Sequence, residues 1–377
     1  MRVVVRIAGE LIVSKRLVVL SVMVAVAGCQ TPPAPSSTGD LVSLAKQERE
    51  VTVIALPHDW CGYGAIVDGF KAKYGLTVNE LNRDASSSEE LDAIRTTRGD
   101  TGPQAPDVVD IAVSFGPAAK KEGLLQPYKV SNWASIPGNA KDAEGYWYAD
   151  YFGVISFEVN ADLVQTPPKD WPDLLKPDFR KEVALAGDPR TSYEGLAAVS
   201  AAGLSRGNAD AVAAGEAGLK FFAELKNKGN FVPVAGRARS VASGATPILL
   251  RWDYNALQDR ETVQGDTEIK VIVPVSRTVA AFYEQAISAY APHPNAAKLW
   301  MEYLYSDEGQ LGFLRGFCHP IRFNELVEES KIPSGLSAQL PPAELYKKTV
   351  FLTPADRDAW KETISSQWAS TVGVDVR

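Results

Sequence analysis

Glu50-Val51-Thr52-Val53-Ile54-Ala55-Leu56 is followed by Pro57, a polar and aromatic loop at 58–64, a helical pattern at 65–74, Gly75, and Leu76-Thr77-Val78-Asn79-Glu80-Leu81. The first run is short, apolar and β-branched, so it reads as a buried strand that ends at Pro57. Apolar residues then recur at helical spacing until Gly75, which caps the helix and releases a second strand. Asp107-Val108-Val109-Asp110-Ile111-Ala112-Val113 repeats the strand pattern, and Ser114-Phe115-Gly116-Pro117 opens another helix. Strands alternating with helices predict a parallel sheet in an α/β protein, and such sheets bind ligands beyond the carboxyl ends of their strands. The loops at 58–64 and 114–116 lie there, which sets Trp60, Tyr63 and Phe115 on one rim.

The alternation continues outward. Gly153-Val154-Ile155-Ser156-Phe157-Glu158-Val159-Asn160 reads as a long strand, and Lys181-Glu182-Val183-Ala184-Leu185-Ala186 as a strand before a helix start at 187–192. The Ala-rich stretch 193–229 holds two helices. Pro247-Ile248-Leu249-Leu250-Arg251-Trp252 is a strand that delivers Asp253-Tyr254-Asn255 to a loop, and 294–305 and 354–368 are amphipathic helices.

At the start of the chain, Lys15 and Arg16 precede an apolar run at 17–27 that closes in Val26-Ala27-Gly28-Cys29. The run is shorter than the roughly 20 apolar residues that span a bilayer. A basic pair, a short apolar run and small residues form a secretory signal. Its ending resembles the bacterial lipobox, which implies export, cleavage before Cys29 and lipid on Cys29. The expected organisation is a lipoprotein signal peptide at 1–28 and a lipidated tether at 29–48, rich in proline and serine and unable to form a core. The anchor would hold the protein on the outer face of the cytoplasmic membrane. Residues ahead of Lys15, among them Arg2, Arg6 and Glu10, read as an over-extended start, with the signal beginning near Val13.

Apolar content of 45% and charged content of 23% describe a globular chain, long enough for two lobes. A net charge of −7 argues against nucleic acid and permits a cationic partner. With Cys29 assigned to lipid, two of the three cysteines remain, Cys61 and Cys318, which either bridge or stay as separate buried thiols. No CxxC or Cys/His cluster points to a metal, and no motif points to a cofactor.

Several further stretches appear in a telling order. They are Leu124-Leu125-Gln126-Pro127-Tyr128, then Tyr148-Ala149-Asp150-Tyr151-Phe152 running into the 153–160 strand, then Pro168-Lys169-Asp170-Trp171-Pro172-Asp173-Leu174. Ala291-Pro292-His293-Pro294-Asn295-Ala296-Ala297-Lys298-Leu299-Trp300 and Ser306-Asp307-Glu308-Gly309-Gln310 complete the series. Together they resemble the periplasmic solute-binding proteins of ABC importers, in the branch with polyamine, phosphonate and ferric-iron binders. The resemblance implies a two-lobed periplasmic-binding-protein fold of type II, with a ligand cleft between lobes that close by a hinge. Carried onto this chain, lobe one is 49–152 plus 284–322 and lobe two is 153–283 plus 323–377. It implies a monomer that is not an enzyme, whose partners are a small solute, an ABC permease and its ATPase.

The cleft-facing loops then bring together Asp59, Trp60, Tyr63, Phe115, Asp150 and Tyr151 from one side, and Asp188, Trp252, Asp253 and Tyr283 from the other, with Tyr148 and Tyr254 beside them. Rings attract cations by roughly 0.5–2 kcal/mol each, and a charge-assisted hydrogen bond adds about 1.5–3 kcal/mol. Micromolar capture needs about −8 kcal/mol, so a few rings and two carboxylates suffice for a polyamine such as spermidine or putrescine. Trp252-Asp253 stands where polyamine binders carry a ligand-stacking Trp. Those binders also carry a carboxylate in the strand matching Phe282-Tyr283-Glu284, where this chain offers Tyr283. Iron binders of the branch use two adjacent tyrosines, and no Tyr-Tyr pair occurs here. A phosphonate would use Arg190, Thr191 and Ser192 with the 114–116 turn.

Plainer roles compete with these. Trp60, Trp147 and Trp252 fit core or hinge packing, Asp188 an N-cap, Asp253 a turn, His58 a loop cap, and Arg237 and Arg239 a solvated face. A secreted α/β hydrolase is the rival from another class. It lacks a GxSxG elbow, and its nearest nucleophile and base, Cys61 and His319, would be lost to a disulfide at Cys318.

Overall fold

The chain forms alternating strand and helix in a computed structural model that describes residues 38–207 and 210–377. Cys29 and the signal segment expected at 1–28 lie outside the described residues. The first half consists of α1 (Thr38–Glu48), β1 (Glu50–Ile54), α2 (Tyr63–Tyr74), β2 (Thr77–Leu81), α3 (Ser87–Thr96), β3 (Val108–Ala112), α4 (Gly116–Glu122) and β4 (Leu125–Gln126). β1 pairs in parallel with both β2 and β3, as helical crossovers require. β5 (Tyr148–Asn160) follows, with every one of its 13 residues buried.

The second half contains β6 (Val183–Leu185), α5 (Tyr193–Leu204), α6 (Ala211–Asn227), β7 (Phe231–Ala235), α7 (Ala238–Ala242), β8 (Ile248–Trp252), α8 (Asp253–Thr262) and β9 (Ile269–Ile272). β10 (Thr278–Ser288) returns to the first half. After it come α9 (Pro294–Leu304), α10 (Asp307–Arg315), β11 (His319–Pro320), α11 (Phe323–Glu328), α12 (Ser334–Ser337), β12 (Thr349–Phe351) and α13 (Pro354–Thr371).

Strand order is β2-β1-β3-β10-β5-β8-β6-β7. The first part of β5 pairs antiparallel with β10, while Ile155 onward pairs with β8 and Phe157 onward with β9. A single strand thus belongs to two lobes. Gly153 sits at the change of partner, and a Cβ there would overlap the Tyr254 ring, so only glycine permits that approach.

The apolar side chains sort into cores on either side of this change. Val51 and Val53, Ile66 and Phe70, Trp300 and Phe313 share the main core of lobe one. Leu91, Ile94, Ile111 and Ala119 cover the other face of its sheet. In lobe two, Ile155, Phe157 and Val159 alternate along β5 and pack with Trp171, Phe222 and Trp368. Each such fully buried side chain contributes about 1.5–3 kcal/mol.

Three expectations are corrected here. The tether expected at 29–48 does not stay extended, because 38–48 is α1. Leu41 and Ala45, one turn apart, are buried in the lobe-one core. The Glu48 carboxylate accepts from the N–H groups of Asn295 and Ala296 (2.9 and 2.7 Å), where the α9 N-terminus favours an anion. The tail expected in lobe two is divided. Phe323 and Tyr346 close an aromatic cluster round His319 on lobe one, whereas Leu352, Trp360 and Ile364 join the lobe-two core. Finally, Asp253-Tyr254-Asn255 is not a loop but the first turn of α8.

Cys61 and Cys318 are bridged, with Cα atoms 5.2 Å apart. The bridge ties the loop after β1 to the turn between α10 and β11. There a Cβ on Gly316 would overlap the Gly62 nitrogen, so the two backbones need glycine to meet. Thiol titration of the unfolded, unreduced chain is expected to find neither Cys61 nor Cys318 free. Cys318→Ser is expected to lower stability by about 2–5 kcal/mol, read as a fall in the denaturant midpoint.

Candidate functional site

Two cavities meet where the lobes join. The first, about 540 Å³, belongs to lobe one and lies beyond the carboxyl ends of β1, β2 and β3. Trp60, Phe115, Tyr151 and Tyr283 supply its rings, and Arg83, Asp84, Glu90, Asp110 and the serines at 86–88 supply its polar wall. The second, about 790 Å³, is walled by Tyr193, Trp252 and Tyr254 together with Arg190, Ser192 and Arg357. Tyr283 lines both.

Ring geometry holds the junction in place. Trp60 donates its indole N–H to the Tyr151 hydroxyl at 2.8 Å and meets the Tyr254 ring edge-on, centroids 5.3 Å apart. Tyr151 stacks on Tyr283 at 5.8 Å, and Trp252 stacks on Tyr254 at 6.4 Å. Such pairs add about 0.5–1.5 kcal/mol each beyond their burial. Both cavities also border helix starts. Ser86 caps α3 reciprocally with Glu89, and the Ser192 hydroxyl accepts from the Gly195 N–H at the start of α5.

A carboxylate network lies under the first cavity. The Tyr63 hydroxyl stands 2.9 Å from Asp110 Oδ2 and 2.7 Å from Asp150 Oδ2, and the Gln285 amide donates to it at 3.0 Å. A hydroxyl has one proton to give, so the second carboxyl contact is a hydrogen bond only when that carboxyl is itself protonated. Burial pushes Glu90, Asp110 and Asp150 above the usual carboxylate range, and the negative charges of Asp150 and Glu90 push Asp110 further. Glu90 Oε2 accepts from the Asp110 N–H at 2.7 Å, but Glu90 Oε1 and Asp110 Oδ1 are buried without a hydrogen-bond partner. An unpaired buried oxygen of this kind is costly until a donor reaches it.

The residues expected at the site divide between lining and support. Trp60, Phe115, Tyr151, Trp252 and Tyr283 line the cavities, and so does Tyr254. Asp59 does not reach them, being exposed on the outer turn of its loop. Tyr63 and Asp150 are buried one layer below, and Tyr148 is buried in the lobe-one core. Asp188 is held by Arg190, whose Nη2 lies 2.5 Å from Asp188 Oδ2 and whose Nη1 lies 3.0 Å from Asp375. Asp253 is buried at the crossing, accepting from the Val154 N–H and the Tyr346 hydroxyl at 2.8 Å each, so both its oxygens are occupied. On β10, Tyr283 lines both cavities and Ala281 and Phe282 line the second, while Glu284 is buried against Gly116, where a Cβ would overlap its Oε2.

Glu90, Asp110, Tyr193, Arg357 and Lys361 were not singled out by the sequence. Asp110 left a signal, a charge inside an otherwise apolar strand. Glu90 left another, since Ser86 and Glu89 spell a capping box at a helix start. Arg357 and Lys361 left none, because α13 reaches the site only through its packing on lobe two. Among the described residues, no group of three or more His, Cys, Asp or Glu is placed to hold a metal ion, and no helix is long and apolar enough to cross a membrane.

Two α/β lobes on shared strands, with a ring-lined cleft at the crossing, make the type II periplasmic-binding-protein fold. Residues 104–335 match the family model described as bacterial extracellular solute-binding protein, and the chain belongs to that family. A probable ABC transporter periplasmic-binding protein of Sinorhizobium fredii is 25% identical over 283 residues, covering 74% of each chain. A putative extracellular solute-binding protein from Bordetella parapertussis has a TM-score of 0.70 at 15% identity, covering 86% of this chain and 99% of its own. The spermidine/putrescine transporter substrate-binding protein of Streptococcus pneumoniae has a TM-score of 0.65 at 14% identity, with coverage of 86% and 99%. The protein is thus the solute-binding component of an ABC transporter.

The buried carboxyls set a pH dependence. Glu90, Asp110 and Asp150, together with Asp253, which burial pushes up to about 7, hold protons more tightly folded than unfolded. The folded state therefore binds more protons above the ordinary carboxylate value of about 4, and the stability these groups contribute falls as pH rises through their folded values. The urea midpoint of the ligand-free protein is expected to decline between about pH 5 and pH 8, and Asp110→Asn is expected to make the decline shallower.

Proposed function

We propose that this protein captures a small solute bearing a protonated amine and delivers it to an ABC permease and its ATPase. It works as a monomer, exported and held at the outer face of the cytoplasmic membrane by lipid on Cys29. The observation that carries the amine is the pair of partnerless buried oxygens, Glu90 Oε1 and Asp110 Oδ1, on a cavity ringed by Trp60, Phe115, Tyr151 and Tyr283. An ammonium group satisfies both oxygens and faces the rings, which attract cations by roughly 0.5–2 kcal/mol each. Polyamines such as spermidine and putrescine meet this description, and one protein of similar fold is described as a spermidine/putrescine binder. Ligand residues would be Trp60, Phe115, Tyr151, Trp252 and Tyr283, with Glu90 and Asp110 taking the role first expected of Asp59, Asp188 and Asp253. Tyr63 and Asp150 position Asp110 from below.

Closure follows from the same geometry. The cavities draw on both lobes while β5 and β10 alone carry the chain across before the tail, so a ligand touching both sides favours the closed arrangement. Phosphonate is the second reading, and Arg190, Thr191 and Ser192 on the second cavity favour it. Ferric iron has no adjacent tyrosines to support it. Binding without turnover is supported by the disulfide, which removes Cys61 as a nucleophile, and by His319, which burial pushes down to about 3 and whose ring nitrogens lack hydrogen-bond partners.

Spermidine and putrescine are expected to raise the melting temperature, because a ligand that binds only the folded state stabilises it. Asp110→Asn and Glu90→Gln, each with an unchanged circular dichroism spectrum, are expected to weaken amine binding about tenfold or more. Wild-type affinity for amines unaffected by either change would remove the carboxylates from the site. Cys29→Ser is expected to move the protein from the membrane fraction to the soluble one, and continued membrane retention would refute the lipid anchor.

A further inference from the structure

The two cavities are chemically unlike. On the lobe-one side the unpaired groups are acidic, Glu90 and Asp110, and they sit among rings, while Arg83 on the same cavity is paired with Glu80. On the lobe-two side the charged side chains are mostly basic and stand with hydroxyls beside an apolar wall of Val113, Leu196, Trp252 and Phe282. Arg357 lines that cavity and keeps a buried Nε without a hydrogen-bond partner. Lys361 lines it one turn further along α13, and the Ser192 hydroxyl stands on it at the first turn of α5. Asp358 is the acidic residue on this wall, and it is exposed. Arg190 brings a third cation, already shared between Asp188 and Asp375. Tyr283 lines both cavities, and Trp60 on the first meets Tyr254 on the second edge-on.

A diamine would meet acceptors at one end and a guanidinium at the other. We propose that the solute is a short zwitterion, with its ammonium on Glu90 and Asp110 and its acid group, a carboxylate or a phosphonate, on Arg357, Lys361 and the start of α5. The assignment rests on the amine reading above and adds the opposite end to it. One molecule then satisfies both sets of orphaned polar atoms and touches both lobes, whereas a one-ended ligand leaves one set unpaired. A planar, always-charged guanidinium suits either acid, which is why the acid is named only by charge.

The test compares 4-aminobutyrate and 2-aminoethylphosphonate with putrescine, which has no acid, and with butyrate and ethylphosphonate, which have no amine. Calorimetry or the fluorescence of Trp60 and Trp252 reads the binding to the wild-type protein. At least one zwitterion is expected to bind about tenfold or more tightly than every one-ended compound. Arg357→Gln is expected to shrink that preference about tenfold, and Arg357→Lys to restore part of it, since the charge returns without the fork. Putrescine binding as tightly as both zwitterions, or an unchanged preference in Arg357→Gln, overturns the zwitterion while leaving the amine standing. Binding of butyrate or ethylphosphonate without any amine-bearing compound overturns the amine reading itself, and the absence of binding by both zwitterions overturns the proposal.

Discussion

The pairing of β5 with β10 is the constraint on which the rest of the structure depends. β5 leaves β10 near Gly153 and takes β8 and β9 as partners, so the backbone hydrogen bonds of one strand hold two lobes in register. A strand buried along all of its length must satisfy every N–H and C=O in the ladder, which leaves little freedom in where the lobes begin. The crossing is further clamped from outside the ladder. Asp253 accepts from the Val154 N–H and from Tyr346, and Tyr346 stacks on His319, whose strand pairs with β5. Polar groups spent in this way are not free for a solute, and that accounts for Asp253 lying at the crossing rather than in the cleft.

The carboxyls under the first cavity follow a different logic. Folding buries Glu90, Asp110 and Asp150 together, and the charges acting on Asp110 are of its own sign. Burial and these like charges keep a proton on the group, against the Tyr63 hydroxyl, whose hydrogen bond favours the charged form. The arrangement is costly in the ligand-free protein and becomes favourable once a cation enters, so binding energy is stored as an unmet demand rather than as a preformed pair. The disulfide has a supporting part in this, since Cys61 follows Trp60 directly and fastens the loop carrying one wall of the same cavity.

The sites of support and contact were partly legible beforehand. Trp60, Phe115, Tyr151, Trp252 and Tyr283 were readable because strand ends and the loops after them are where such sheets expose rings. Asp59 and Asp188 failed for local reasons. Asp59 lies on the outer side of a tight turn, and Asp188 finds Arg190 two residues away, a partner close enough to outcompete any solute. The resemblance puts all of 323–377 in lobe two, yet Phe323 and Tyr346 pack on the lobe-one core while Leu352, Trp360 and Ile364 pack on that of lobe two.

Sequence by itself determined the α/β class, the order of the strands along the chain and the receptor resemblance. These depend on periodicity, on turn residues and on short motifs, all of which act within a few residues. Only the tertiary structure decided that Cys61 meets Cys318, that Glu90 and Asp110 share a cavity, and that Arg357 reaches the second cavity from the last helix. Those groups are separated by tens to hundreds of residues, and their meeting is set by which apolar face each helix buries. No local pattern records that choice, because the same amphipathic stripe on α13 would serve equally well against another wall of the core.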